Sequence, residues 1–140
     1  MEPTLHCARP GLGCLARYAD RVVARVPAVG PLRGDIVVVA PPIEAVMKCG
    51  AGGGLVTRLI GLPGETIAQR RGAVLVNGRE LREPYVQAAR RDSRYGTWHV
   101  SAGQYFLMGD NRVQSCDSRE WGAVRRASII GKVVRTIRVR

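Results

Sequence analysis

Residues 109–122 read GDNRVQSCDSREWG, and in this one segment two aspartates, two arginines and two serines interleave in a chain with only 11 acidic residues. In an extended segment, side chains at i and i+2 share a face. That spacing lines up Ser115, Asp117 and Arg119 and sets Cys116 and Ser118 opposite. A carboxylate two residues from a guanidinium can form an ion pair that braces a tight loop, with Ser115 presented beside it. A purely structural polar turn uses the same arrangement, because structural ion pairs are built this way too.

Other groups capable of chemistry are few. The four cysteines, Cys7, Cys14, Cys49 and Cys116, lack CxxC spacing, and only two histidines accompany them, so no zinc site and no other metal or cofactor is implied. An even count permits two disulfides in three connectivities, and four free buried thiols are the plain alternative. Cys7 and Cys14 lie in HCARPGLGC, a Pro/Gly loop whose ends could meet. Lysine occurs only at Lys48 and Lys132, so the net charge of +11 is almost wholly arginine. The arginines are scattered and only 5% of residues are aromatic, which leaves little to stack on bases. No nucleic-acid partner is expected, and attraction to anionic lipid headgroups accounts for the same charge.

The elements that must position these groups read as strands. With 140 residues, 46% hydrophobic, the chain is expected to be one globular domain. Seventeen glycines and eight prolines favour short strands and turns over long helices. DIVVVA (35–40) is a β-branched run stopped by Pro41-Pro42, and LVTRLI (55–60) is a second run ended by GLPGE. Residues 66–69 and AVLV (73–76) lead to Asn77-Gly78, which suits a two-residue hairpin turn, and RELREPYV continues the pattern. Residues 98–100, 104–108 and the C-terminal IIGKVVRTIRVR complete the strands, with short helices near 43–47 and 126–129. The expected fold class is all-β, one domain over 1–140, with a hairpin excursion at about 66–104. No apolar stretch approaches the roughly 20 residues that span a bilayer.

Five segments in order give these groups a context. GDNRVQSCDSREWG resembles the last conserved box of the type I signal peptidases, membrane-anchored serine proteases that remove signal peptides from exported proteins. RGDIVVVAPP resembles the family's preceding strand box, TRLIGLPGE the box that carries its catalytic lysine, and MEPTL the tail of the box that carries its nucleophile. NGRELREPYV is similar to a hairpin common in the family. The resemblance spans almost the whole chain. It implies a signal-peptidase-like mixed or antiparallel sheet fold and serine–lysine dyad chemistry. In that chemistry a lysine, its pKa lowered by apolar burial, takes the proton of a serine hydroxyl.

By the same resemblance, Ser115 orients the base and Asp117 and Arg119 brace its loop. Leu5 and Val56 help line shallow pockets for small residues, and Gly54, Leu55 and Val56 offer a strand edge to an extended substrate. The implied partners are the signal peptides of exported preproteins and an anionic membrane surface. The implied place is the extracytoplasmic face of the plasma membrane, through an anchor that the chain does not contain.

Two departures bear on activity. The family pattern is serine, methionine, any residue, proline, threonine, leucine, so the nucleophile is expected immediately before Met1, together with the upstream oxyanion hydroxyl and the anchor. Where the pattern has Lys-Arg, this chain has Thr57-Arg58, and a threonine hydroxyl offers no amine lone pair. Arg58 stays protonated and alternates to the opposite face of its strand. Lys48, on the flexible approach MKCGAGGG, and His6 are the conceivable substitutes, while His99 has no motif around it. Glu65 and Asp35 fall at turn positions and are expected to cap loops. The chain is therefore expected to be an inactive peptidase domain as written, or a non-catalytic relative that binds exposed peptides.

Overall fold

A computed structural model describes Met1, Thr4, Leu5 and residues 19–139. His6, Cys7 and Cys14 lie outside these described residues. The strands are β1 (Ala19–Arg25), β2 (Ile36–Val39), β3 (Leu55–Gly61), β4 (Thr66–Arg70), β5 (Ala73–Val76), β6 (Arg79–Glu80), β7 (Gly96–His99), β8 (Gln104–Met108), β9 (Val124–Arg125) and β10 (Ile129–Val139). Two short helices, α1 (Ile43–Cys49) and α2 (Ser118–Trp121), accompany them. Every strand pair is antiparallel. The larger sheet runs β1-β10-β2-β3-β8-β9 and the smaller runs β6-β5-β4-β7. The all-β expectation holds.

Two apolar clusters lie on opposite sides of the larger sheet. Val37, Val39, Leu59, Leu107, Val124 and Ile129 pack with Ala45 of α1 and Trp121 of α2. Ile60, Phe106 and Met108 pack instead with Ile67 and Val74 of the smaller sheet and with Val100. β3 and β8 are thus covered on both faces, which is why their sequences read as continuous apolar runs rather than alternations. Leu59 and Ile60, adjacent in sequence, serve different clusters because successive side chains point to opposite faces.

The turns set the register. Asn77 and Gly78 both take positive φ, 48° and 82°, as a two-residue hairpin turn between β5 and β6 requires. Asn77 Oδ1 also accepts from Thr66 N at 2.9 Å, tying that turn to the start of β4. Glu65 closes the LPGE turn: its Oε2 accepts Leu62 N at 2.7 Å, and both oxygens accept from Arg33, at 2.5 and 2.7 Å. Arg33 Nη1 also donates to Ile60 O at 2.7 Å. Asp35 accepts Leu32 N at 2.9 Å. Both acids act as their turn positions imply.

Several elements depart from expectation. β1 was not legible, because ADRVVAR has a single apolar pair and no alternation; its conformation comes from backbone pairing with β10. RELREPYV keeps only two residues as strand, since Pro84 offers no N–H to a ladder. Residues 118–121 form a helical turn capped by Asp117, not an extended segment.

Gly61 sits at an irregular step in the β3–β8 pairing, where a Cβ would lie 2.8 Å from Phe106 Cβ and 2.9 Å from Ile67 Cδ1. Gly61→Ala is expected to lower stability by about 1–3 kcal/mol through overpacking, read by denaturant unfolding. Arg33 holds the Glu65 carboxyl below its ordinary range, so the pair stabilises the fold fully above that range and loses its effect as pH falls through the lowered value. The stability gap between wild type and Glu65→Gln is therefore expected to be constant near neutrality and to close below about pH 4.

Candidate active site

The three segments singled out in the sequence converge on one carboxylate. Asp110, fully buried, follows the end of β8. Its Oδ1 accepts Arg58 Nε at 2.8 Å and its Oδ2 accepts Arg58 Nη2 at 2.7 Å, a bidentate pair. Thr4 Oγ1 also donates to Asp110 Oδ2. The MEPTL segment, β3 and the GDNR turn therefore share a single acceptor. Arg58 Nη1 donates to Gly34 O at 2.8 Å, which adds the loop before β2.

A second layer covers this pair. The Arg58 guanidinium lies 3.8 Å from the centroid of the Tyr85 ring. Burial, and then the nearby Glu83 charge, push the Tyr85 phenol up to about 12, so it stays protonated and donates to Glu83 Oε1 at 3.3 Å. Glu83 is buried and bidentate to the equally buried Arg112, at 2.5 and 2.9 Å. Arg112 Nε in turn donates to Gly109 O at 2.9 Å.

The loop after the turn is held by Asp117 and Arg119, and their ion pair forms as expected, with Nε–Oδ1 and Nη2–Oδ2 both at 2.8 Å. Arg119 also reaches Asp92 Oδ2 at 2.9 Å, Gln69 Oε1 at 3.3 Å and Arg112 O at 2.9 Å. Asp117 Oδ2 and Ser115 Oγ both accept from Gly109 N, at 3.0 and 3.1 Å. A disulfide joins Cys116 in this loop to Cys49 at the end of α1, with their Cα atoms 6.1 Å apart. Among the expected alternatives for these two cysteines, a bridge is what forms.

Thr57 faces Val37 across the β2–β3 ladder and is only 6% exposed. Its hydroxyl is buried with no hydrogen-bond partner among the described residues. Arg58 pairs with Met108, the last residue of β8. Just beyond it, a Cβ on Gly109 would collide with Ser115 Oγ. Arg58 occupies the other face, as alternation requires.

Leu55 and Val56 pair with Val39 and Val38 on one side. On the other side β8 pairs only from Arg58 onward, so the 54–57 edge has no strand partner among the described residues. Gly54 is exposed and its missing Cβ would lie 3.3 Å from Val38 Cγ1. Leu5 is buried at 8% exposure, and its N–H donates to Met1 O at 3.1 Å.

Of the two conceivable substitute bases, only Lys48 lies among the described residues. Lys48 Nζ is committed to Glu120 O at 2.8 Å on an exposed flank, and Lys132 pairs with Asp35 at 2.7 Å. His99 Nδ1 bonds Thr66 Oγ1 at 2.9 Å, in the smaller sheet. No cluster of three or more potential metal ligands occurs among the described residues. Sequence reasoning missed Thr4, Glu83, Tyr85, Asp110 and Arg112. The available signal was the EPY of NGRELREPYV and the DNR of the turn, polar residues adjoining apolar runs without a solvent-facing period.

The chain belongs to the signal peptidase family, peptidase S26, whose pattern matches residues 1–137. It is 42% identical over 106 residues to a signal peptidase I of Leptolyngbya laminosa, covering 74% of this chain and 51% of that protein. Over 92 residues it is 37% identical to signal peptidase I V of Bacillus subtilis strain 168, covering 56% and 55%. The chain thus spans about half the length of these relatives. A crystal structure of a signal peptidase I from Enterococcus faecalis V583 superposes with a TM-score of 0.60 at 32% identity, covering 74% of this chain and 97% of that one.

Removing one member of a buried ion pair leaves the other uncompensated, at about 3–5 kcal/mol. Asp110→Ala is expected to destabilise the fold by that amount, measured by thermal unfolding.

Proposed function

We propose that this chain is a type I signal peptidase domain that holds the signal peptides of exported proteins along the 54–56 edge but does not itself supply the general base for cleavage. The observation that carries this reading is Thr57. The hydroxyl stands at the position of the family's lysine, in the dry environment that would depress an amine's pKa, and has no amine to depress. Its own proton is far too weakly acidic, and its oxygen far too weakly basic, to activate a serine at neutral pH.

Within this reading Ser115 is the residue that would orient a base at position 57, and Asp117 and Arg119 fix its loop. Leu5 and Val56 line the small-residue pockets, and Gly54, Leu55 and Val56 pair with the substrate backbone. Residues 1–140 act as one domain, with the smaller sheet as the hairpin excursion. The partners are exported preproteins and an anionic membrane surface, and the place of action is the extracytoplasmic face of the plasma membrane. No helix among the described residues is long and apolar enough to cross a membrane.

The competing reading, an active serine endopeptidase, draws support from the family boxes and the open edge. It needs another base, and the two lysines are engaged elsewhere.

Restoration separates the two. Chains extended with a serine and an anchor before Met1 are assayed on a small-x-small peptide, with Thr57 and with Thr57→Lys. The lysine form is expected to cleave at least about 10²-fold faster, the usual contribution of a positioned base. Equal cleavage by the threonine form would overturn the proposal. Binding of the peptide by the threonine form, measured by titration, is expected to match that of the lysine form.

A further inference from the structure

The smaller sheet contains two hairpin turns of the same geometry and different residues. Between β5 and β6 stand Asn77 and Gly78, at φ 48° and 82°. Between β4 and β5 stand Arg71 and Gly72, at φ 50° and 81°. The first position of such a turn favours Asn, Asp or Gly, because other side chains crowd the backbone at positive φ. Asn77 meets that demand, so Arg71 is a local cost the fold does not require. A residue held at a disfavoured φ where a better one would serve points to a use for its side chain.

The turn is one corner of a cationic edge. Arg91 Nη1 donates to Gly72 O at 3.0 Å, and a Cβ on Gly72 would lie 3.2 Å from Arg91 Cβ. Arg70, Arg71 and Arg91 are all exposed. Asp92 and Glu120 are each taken by Arg94 at 2.6 Å, and Asp92 by Arg119 as well. No carboxylate among the described residues pairs with Arg70, Arg71 or Arg91.

Beside this corner the sheet is unfinished. β7 is its last strand and pairs only with β4 among the described residues. Its sequence, GTWH, has no lysine, proline or bulge of the kind that guards an edge. A cavity of about 440 Å³ is lined by Gln69, Arg70, Tyr95, Gly96 and Thr97. A second, of about 170 Å³, shares Gln69 and Tyr95 and takes Trp98 as a wall. Thr97 and Trp98 point to opposite faces, as adjacent strand residues do. The two cavities are thus set to receive alternate side chains of a strand laid along β7. Tyr95, which borders both, is 68% exposed.

We propose that the β7 edge is a docking site for an extended acidic segment of another polypeptide. The segment adds a strand beside β7, places its carboxylates on Arg70, Arg71 and Arg91, and packs a side chain against Tyr95. A guanidinium fork matches a carboxylate bidentately. A strand edge presents N–H and C=O groups in the spacing of another polypeptide backbone, which neither a nucleic acid nor a lipid headgroup matches. No residue of the 54–57 edge takes part, so this site and the cleft are tested independently.

The test is isothermal titration of the 140-residue chain, in dilute salt, with a capped octapeptide alternating threonine and glutamate. That alternation puts every carboxylate on one face of a strand. Its glutamine counterpart is expected to bind at least about tenfold more weakly, the summed worth of several exposed ion pairs. Arg71→Asn is expected to bind the acidic peptide about threefold more weakly. The same variant is expected to unfold at higher denaturant, because it restores ordinary turn chemistry, so a folding defect cannot mimic the loss. The triple variant Arg70→Gln, Arg71→Asn, Arg91→Gln is expected to lose at least about tenfold. Tyr95→Ala is expected to lose about threefold to tenfold. Methylating alternate backbone nitrogens of the peptide, in one phase or the other, is expected to cost at least about tenfold by removing edge hydrogen bonds. The control, Arg21→Gln, Arg25→Gln, Arg135→Gln, removes the same charge from β1 and β10 and is expected to lose less than about threefold.

Failure of the acidic peptide to bind would overturn the assignment, as would unchanged affinity in Arg71→Asn. Equal losses in the two triple variants would mean diffuse attraction by net charge, and indifference to both methylated peptides would remove the strand edge; either result sinks it. So does tighter binding of duplex DNA or of phosphatidylglycerol vesicles through the same three arginines.

Discussion

Asp110 carries its charge with no exposure to solvent, and the site is assembled around that fact. A buried carboxylate is tolerated only when its lone pairs are taken by donors, preferably charged ones. Here they are taken by Arg58 from β3 and Thr4 from the N-terminal segment, so three distant parts of the chain must meet or the charge is stranded. Fixing Arg58 on one face of β3 also fixes Thr57 on the other, because strand side chains alternate.

The smaller sheet is bound into the same construction. Glu83 reaches across to Arg112, Tyr85 roofs Arg58, and Gln69 and Asp92 receive Arg119. Each contact is a carboxylate, amide or aromatic group from the hairpin region meeting an arginine of the site. The low-dielectric setting makes these pairs strong when complete and costly when broken. The disulfide adds a covalent tie between α1, which leads into the open edge, and the loop carrying Ser115.

What the site lacks is set against what it keeps. The apolar neighbours of position 57, the glycine beneath Ser115 and the braces of its loop are all present, yet Thr57 offers a hydroxyl with no partner among the described residues. On the proposed reading, peptide recognition rests on the strand edge whereas cleavage needs an amine at position 57, so binding and cleavage part company at this one position.

Much of this was legible in the residues. The β-branched runs, Asn77-Gly78 and the terminal alternation marked most strands, and the Asp117–Arg119 spacing marked the brace. The spacing argument reached the right ion pair through the wrong local geometry, since the segment is a capped helical turn. Strand β1 escaped notice because its partner β10 lies at the other end of the chain, and a sequence window sees only local period. The roles of Glu83, Tyr85 and Asp110 escaped for the same reason: each is defined by a guanidinium from a different strand.

Sequence alone determined which groups this protein has: a threonine at position 57, a polar serine-bearing loop and an excess of arginine. Tertiary structure decided which arginines are buried against carboxylates and which stand open, and that Lys48 bonds the Glu120 carbonyl. Residue type is a local property of the chain, whereas burial and pairing depend on contacts between segments far apart along it, and those exist only once the strands have found their register.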